Sequence, residues 1–108
     1  MILLSEEAAR QALDEVGELQ RQVEAEEVDF ELAGDQIVER LDAVMTLFEG
    51  SANIYSVVAE PAMRWAHAAL APKWVVDQDA TAESRRYKAL WYKISEFFDR
   101  YKHLDPDA

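Results

Sequence analysis

Four carboxylates in two pairs are the part of this sequence best suited to chemistry. The pairs are Glu15-x-x-Glu18 and Glu39-x-x-Asp42, and they lie symmetrically about residues 28–29. If residues 28–29 form the turn of an antiparallel helical hairpin, all four carboxylates come to the same level. Carboxylate oxygens are the ligands that hard divalent cations prefer. The spacing therefore predicts a divalent-cation site on the first two helices.

Two helices have to position these acids. Ser5 followed by two acidic residues is typical of a helix N-cap, and it predicts a first helix over residues 5–27. Gly17 within it would permit the close approach of a neighbouring helix. Asp29 is predicted to begin a second helix, which Gly50 ends. The predicted buried side chains recur at three and four residues. They are Ala8, Ala9, Ala12, Val16, Leu19 and Val23, then Ile37, Leu41, Val44, Leu47 and Phe48.

A third helical segment is predicted over residues 52–71. Pro61 lacks a backbone donor and clashes with the preceding turn, so we expect a kink or a break near Glu60. Pro72 ends the segment, and residues 73–76 are predicted to form an extended connector. A single extended segment cannot make a sheet. The connector is therefore expected to pack on the helices.

Thr81 is predicted to begin the last helix, in which one face is aromatic and the other basic. The apolar face consists of Tyr87, Leu90, Trp91, Ile94, Phe97, Phe98 and Tyr101. The basic face consists of Arg85, Arg86, Lys88, Lys93, Arg100 and Lys102. Four helices with short connections predict an all-α fold, a four-helix antiparallel bundle. We expect a single domain over residues 1–104 and a disordered tail over residues 105–108.

The charge of the chain is unevenly distributed. The net charge is −11, and residues 1–50 carry 14 acidic and 3 basic residues, so the first half holds the whole excess. Such a surface repels phosphate groups, and we expect no direct binding of nucleic acids. It suits cations or a basic protein partner. The chain has no cysteine, and no apolar run reaches the roughly 20 residues of a membrane helix, so we expect a cytoplasmic protein with no membrane segment.

The paired acids carry a resemblance to a known family. Residues 12–19 (ALDEVGEL) and 39–48 (ERLDAVMTLF) resemble the E-x-x-E, spacer, E-x-x-D signature of MazG-like nucleoside triphosphate pyrophosphohydrolases. The resemblance covers the first two helices. It implies that bound Mg²⁺ holds the triphosphate and activates water, releasing pyrophosphate and a nucleoside monophosphate. The Mg²⁺ ligands that the resemblance implies are Glu15, Glu18, Glu39 and Asp42.

Charge alone suggests which residues of such an enzyme would contact the substrate. Arg85, Arg86 and Lys88 on the last helix could balance the charge of the substrate phosphates. One short chain supplies few walls for a nucleotide pocket, so we expect a homo-oligomer, either a dimer or a tetramer. The wide aromatic stripe could bury a subunit interface, or it could fill the core of a single chain.

A second interpretation needs no catalysis. Glu39 and Asp42 lie opposite the centre of the apolar stripe on their helix, which predicts that they face solvent. In that case the chain is a non-catalytic acidic helical oligomer that binds a protein partner or a small ligand. The orientation of the four acids distinguishes the two interpretations, because convergence favours catalysis and divergence favours binding.

Overall fold

A computed structural model of the chain describes residues 2–48, 53–74 and 81–105. Within these ranges the chain forms helices and turns only, which confirms the predicted all-α bundle. Three long helices are regular: α1 (Ile2–Glu24), α2 (Phe30–Leu47) and α4 (Ala82–Tyr101). Between α2 and α4 lies a composite helix around the short α3 (Glu60–Trp65). The end predicted for α2 at Gly50 and most of the predicted tail lie outside the described residues.

The turn between α1 and α2 begins earlier than predicted. Glu26 has a φ of 56°, and its N–H donates to Val23 while the N–H of Glu27 donates to Gln22. This pair of bonds is the Schellman pattern, which ends a helix with one left-handed residue. α1 therefore ends at Glu24, although no glycine marks the position.

Side-chain caps begin α2 and α4 where the sequence predicts them. The Asp29 carboxylate accepts hydrogen bonds from the N–H groups of Glu31 and Leu32, at 2.9 and 3.2 Å. The Thr81 hydroxyl accepts one from the N–H of Ser84 at 3.0 Å. These caps satisfy N–H groups that have no partner within the helix.

The third segment is helical on both sides of Pro61. α-Helix α3 is preceded by a π-helical stretch, Tyr55–Ala59, and followed by another, Ala66–Leu70. The chain keeps right-handed helical dihedrals at Ala59 and Glu60, so there is no break there, and a kink stays a prediction. A 3-10 turn, Ala71–Lys73, follows. Lys73 is therefore helical and not extended, and residues 75–76 of the predicted connector lie outside the described residues.

Contacts between side chains give the direction of each helix. α1 ends at Glu24, α2 begins at Phe30, and Glu15 farther back on α1 meets Arg40, so α1 and α2 are antiparallel. Asp35 meets Lys93 and Asp42 meets Arg100, so α2 and α4 run parallel. Tyr55 meets Phe98 and His67 meets Trp91, so the third helical segment runs antiparallel to α4. Helices that follow one another in the sequence are thus antiparallel, and α2 lies between α1 and α4.

The core lies where α2, α3 and α4 meet and continues under α1. Val23, Ile37, Ile94 and Phe97 are fully enclosed. The apolar face of α4 is centred on Leu90 and Phe97, both buried, while Trp91 and Phe98 lie at its edge. Ala8 and Leu47 were predicted to be buried and are exposed.

The close approach between helices occurs at Gly34 and not at Gly17. A Cβ atom at Gly34 would lie 2.8 Å from Leu90 Cδ1 and 3.0 Å from Lys93 Cδ, so a larger residue would force these side chains or α4 itself to shift. A Cβ atom at Gly17 would meet nothing within 4 Å. The expectation that Gly17 permits a close contact is therefore wrong, since this glycine faces open space.

Candidate functional site

The hairpin brings Glu15 to a cation on the facing helix. Arg40 donates from Nε to Glu15 Oε2 at 2.6 Å, and Gln11 donates to Oε1 at 3.4 Å. The hydrogen bond from Arg40 holds the pKa of Glu15 below its ordinary value, against the opposing effect of desolvation. The predicted register of the hairpin places Glu15 opposite Asp42, two residues beyond Arg40. The register is thus close to the prediction, but the group that meets Glu15 is a guanidinium.

Glu18 is engaged within its own helix. Arg21 donates to both carboxylate oxygens of Glu18, from Nη2 at 2.7 Å and from Nε at 3.1 Å. This charged hydrogen bonding lowers the pKa of Glu18. The pair lies on the exposed surface of α1, where solvent weakens its contribution.

Asp42 faces α4 and not α1. Arg100 Nη2 donates to Asp42 Oδ1 and Oδ2 at 3.0 and 2.8 Å, and the Tyr101 hydroxyl donates to Oδ1 at 2.9 Å. The hydrogen bond to Asp42 raises the pKa of Arg100. Burial, followed by the hydrogen bond to Asp42, raises the pKa of Tyr101. Asp42 thus bonds to α4, whereas Arg40, two residues earlier on α2, bonds to α1.

Glu39 lies in a groove of about 440 Å³ between α2 and α4. It is exposed and makes no ion pair within the described chain. Lys93 and Arg100 also line the groove, and they pair there with Asp35 and Asp42. The groove therefore contains its own neutralising cations.

The four carboxylates do not form a metal-ligand set in this arrangement. Among the side chains described, no group of three or more His, Cys, Asp or Glu residues is placed to hold a metal ion. Glu15 and Asp42 are held by cations from different helices, and Glu18 pairs on its own helix. Mg²⁺ takes near-octahedral oxygen ligands, and these guanidinium groups would have to leave first. Mg²⁺ binding by the four acids stays a prediction.

The three cations predicted to contact phosphate are divided between two places. Arg85 and Arg86 line a cavity of about 560 Å³ at the start of α2, together with Lys93. Arg86 also lies 4.6 Å from the centre of the Phe30 ring and donates to Glu26 Oε1 at 3.2 Å. Lys88 lies over the ring of Trp74, 5.5 Å from its centre. Lys88 is therefore not part of the group that Arg85 and Arg86 form.

An aligned series of ion pairs joins α4 to the hairpin. Arg86, Lys93 and Arg100 follow one another at seven residues, and they pair with Glu26, Asp35 and Asp42. Seven residues make two helical turns, so these side chains share one side of α4. The signal was present in the sequence, because Asp35 and Asp42 are also seven apart. Short connections predict that α2 and α4 are parallel, but not that they are neighbours.

An aromatic group covers the junction of the third helical segment and α4. Trp91 makes edge contacts with Trp74 and Tyr92, each with ring centres 5.4 Å apart, and His67 lies 5.9 Å from Trp91. The indole N–H groups of Trp65, Trp74 and Trp91 and the hydroxyl of Ser95 are buried and have no hydrogen-bond partner among the residues that the structure describes. Trp74 therefore packs on α4, and several polar atoms nearby are unsatisfied.

No helix in the described ranges is long and apolar enough to cross a membrane. Comparisons of the chain with protein-family models, with curated proteins and with solved structures find no match.

Proposed function

We propose that this chain is a non-catalytic acidic helical protein that binds a basic protein partner through the outer surface of α1. We define the α1 outer surface by its exposed acids: Glu6, Glu7, Asp14, Glu18 and Glu24. One observation carries the proposal. The cations of α4 pair with acids of the turn and of α2, so the ion pairs that α4 makes with the hairpin do not involve the acids of the α1 outer surface.

The α1 outer surface has five exposed acids and two exposed cations, Arg10 and Arg21, so its net charge is negative. Within the described chain, Glu6, Glu7, Asp14 and Glu24 make no ion pair, and only Glu18 has a partner, Arg21. Exposed carboxylates in water bind little by themselves, but several on one surface create a negative potential. Such a potential speeds the association of a positively charged partner and selects against negatively charged ones.

The proposal includes a homo-oligomer, either a dimer or a tetramer. Two copies of the α1 outer surface would repel each other, so self-association has to use another part of the chain. Large apolar side chains that are exposed elsewhere are Leu32, Leu47, Val57 and Tyr92. Light scattering coupled to size exclusion measures the mass. A mass of one chain at every concentration tested would exclude this part of the proposal.

The binding proposal is tested by affinity capture followed by reconstitution with the purified partner. The variant Glu7→Gln/Asp14→Asn/Glu24→Gln removes three charges from α1. The matched control Glu60→Gln/Glu83→Gln/Asp99→Asn removes three from α3 and α4. We expect a basic protein that binds the wild type and the control with equal affinity and the α1 variant at least about tenfold more weakly, with an association rate that falls with salt.

Two results would contradict the proposal. One is a partner that binds the α1 variant as tightly as it binds the wild type. The other is the absence of any captured protein that binds again after purification. Circular dichroism and thermal melting of each variant show whether a loss of binding is a loss of folding.

The Mg²⁺-dependent pyrophosphohydrolase stays a prediction from the sequence resemblance. Its support in the structure is the hairpin register, which places Glu15 close to the level of Glu39 and Asp42. The assay follows pyrophosphate release from a mixture of nucleoside triphosphates with Mg²⁺ or Mn²⁺. Turnover that Glu39→Gln/Asp42→Asn abolishes, with helicity unchanged, would replace the binding proposal.

A further inference from the structure

The α1–α2 hairpin has one side without net charge, although the first half of the chain is strongly acidic. On α2 the residues of this side recur at intervals of four, four, three and four, so they form one stripe along the helix. They are Leu32, Gln36, Arg40, Ala43 and Leu47. Arg40 carries the one charge of this stripe, and Glu15 of α1 neutralises it. Asp35 and Asp42 lie off the stripe and face α4.

α1 supplies the other half of this side. The helices are antiparallel and Glu15 meets Arg40, so the residue seven before Glu15 lies level with the residue seven after Arg40. These residues are Ala8 and Leu47. Gln11, which donates to Glu15, and Gln22, seven residues after Glu15, lie on the same side of α1. We define the neutral face as the α2 stripe together with Ala8, Gln11, Glu15 and Gln22.

The neutral face is open to solvent in the single chain. Ala8, Gln11 and Ala43 are exposed, and Leu32 and Leu47 are about half exposed. Single exposed leucines are ordinary, but here two lie on one stripe that contains no acid. A partner that covers the neutral face therefore has to be largely uncharged, with both signs of charge at its centre.

A second copy of the chain meets this requirement. A two-fold axis parallel to the helices places α1 of each copy over α2 of the other, at the same levels as within one hairpin. Glu15 then lies beside the partner's Arg40, so the charges alternate around the four helices. Leu47 lies on the partner's Ala8, and Leu32 lies at the level of the partner's Gln22.

Arg40 has a donor left for this contact. Its Nε donates to Glu15 at 2.6 Å and its Nη1 to the carbonyl of Gln36 at 3.2 Å, while Nη2 has no partner within the described chain. A two-fold axis perpendicular to the helices would instead set Arg40 against the partner's Arg40 and Glu15 against the partner's Glu15. Like charges face to face are unfavourable, so the charges select the axis that is parallel to the helices.

The size of the neutral face suits a weak dimer. The face extends about 25 Å along the hairpin and about 20 Å across its two helices. Two copies would therefore bury on the order of 1,000 Å² in total, which is near the lower limit for a specific interface.

We propose that two copies of this chain associate through the neutral face, in a dimer whose two hairpins form a four-helix bundle about a two-fold axis parallel to the helices. The inference rests on the homo-oligomer of the proposed function and identifies its interface. None of the acids that define the α1 outer surface belongs to the neutral face, so self-association and partner binding can be tested separately.

Charge complementation is the first experiment. The Glu15→Arg chain has two cations at the centre of the neutral face, and the Arg40→Glu chain has two acids there. We expect each variant alone to be a monomer at concentrations of about 0.1–1 mM, where the wild type is a dimer, and an equimolar mixture to recover the dimer. Light scattering coupled to size exclusion measures the mass. Mixing does not repair a misfolded chain, so recovery would show that the charges meet between copies.

A matched pair of variants tests the same interface without changing charge. Leu32→Gln/Leu47→Gln removes both leucines of the neutral face, and Val57→Gln/Tyr92→Gln removes the large exposed apolar side chains elsewhere. We expect the first variant to weaken dimerisation at least about tenfold and the second to leave it unchanged. All four residues are exposed, so both variants are expected to fold, which circular dichroism checks.

Disulfide capture tests the direction of the axis, because the chain has no cysteine of its own. Oxidation of an equimolar mixture of the Ala8→Cys and Leu47→Cys chains should give a covalent dimer of the two. A mixture of the Leu32→Cys and Leu47→Cys chains should not, because those positions meet only if the axis is perpendicular to the helices. The reverse result would overturn the proposed arrangement.

The remaining outcomes separate this inference from the proposed function. A dimer that Val57→Gln/Tyr92→Gln weakens and Leu32→Gln/Leu47→Gln does not, or charge variants that stay monomeric when mixed, would overturn the neutral face as the interface and leave the homo-oligomer standing. A wild type that is a monomer at about 1 mM would overturn both. Binding of a basic partner is decided independently by the α1 variant.

Discussion

Arg100 holds both carboxylate oxygens of Asp42 with a single nitrogen, at 3.0 and 2.8 Å, and so joins two helices that run parallel. The residue that the sequence resemblance assigns to a metal thus serves as a contact between α2 and α4. The Tyr101 hydroxyl adds a hydrogen bond to the same carboxylate. Asp42 therefore has a structural role that does not depend on metal binding.

Asp42→Asn should therefore destabilise the fold, whereas Glu39→Gln should not. The loss of charge at Asp42 weakens two contacts to α4, which we expect to lower the free energy of unfolding by about 1 kcal/mol. Glu39 is exposed and makes no ion pair in the described chain, so its change should stay within about 0.5 kcal/mol. Urea unfolding measures both. Equal stability of the two variants would show that the contact to Arg100 contributes nothing.

Alanine substitutions at the two helical glycines are expected to have opposite effects on stability. Gly34→Ala places a Cβ atom 2.8 Å from Leu90 Cδ1, and the resulting shift should cost about 1–3 kcal/mol. Gly17→Ala meets open space and should stabilise the helix by about 0.5–1 kcal/mol. Thermal melting of the two variants against the wild type measures the difference. A Gly34→Ala variant as stable as the wild type would mean that the Leu90 side chain or α4 moves aside at no cost.

These glycines also show what the sequence can and cannot determine. Asp29 and Thr81 begin their helices where the side-chain chemistry predicts, because a cap is a local interaction. The cap predicted at Ser5 is wrong, since α1 begins at Ile2 and Ser5 lies within it. A close contact between helices depends on which helices become neighbours, and that depends on the whole chain. The sequence suggested a close contact at Gly17 because a glycine within a helix leaves room for a neighbour, while the close contact occurs at Gly34, opposite α4.

Glu26 combines an unfavourable backbone with favourable side-chain contacts. Its φ of 56° is costly for a residue with a Cβ atom, but its carboxylate accepts hydrogen bonds from Arg86 and Tyr87. Glu26→Ala loses the contacts and keeps the strain, whereas Glu26→Gly loses both. We expect Glu26→Gly to be about 1 kcal/mol more stable than Glu26→Ala in chemical unfolding. Equal stability of the two would indicate that the turn relaxes when the side-chain contacts are lost.

Acid titration should detect the ion pair between Glu15 and Arg40. The hydrogen bond from Arg40 lowers the folded-state pKa of Glu15 below its ordinary value of 4.5. The stability that the pair contributes is therefore present above about pH 4.5 and is lost as the pH falls through the lower folded-state pKa. Carboxyl ¹³C NMR of the wild type and of Arg40→Gln measures the pKa directly. We expect the pKa to rise in Arg40→Gln, and the same low pKa in both proteins would contradict the pairing.

The candidate site was predicted less completely than the fold for a physical reason. Symmetric spacing about a turn fixes the level of a side chain on an antiparallel hairpin. Glu15 accordingly meets Arg40, which is two residues from the predicted opposite residue, Asp42. Spacing does not fix the direction in which a side chain points once a third helix packs alongside. α4 brings Arg100 to Asp42, and this contact requires α2 and α4 to be neighbours, which no local pattern encodes.

Competition between cations gives the most direct test of the metal prediction. If Asp42 is a Mg²⁺ ligand, Arg100→Gln frees its carboxylate and should strengthen Mg²⁺ binding. If Asp42 only joins the helices, millimolar Mg²⁺ should change the melting temperature of the wild type, Arg100→Gln and Glu39→Gln by the same small amount, because screening of acidic charge acts on all three. From the pairing of the acids we expect the second result. Saturable stabilisation that Arg100→Gln strengthens and Glu39→Gln/Asp42→Asn abolishes would instead establish the metal site predicted from the sequence.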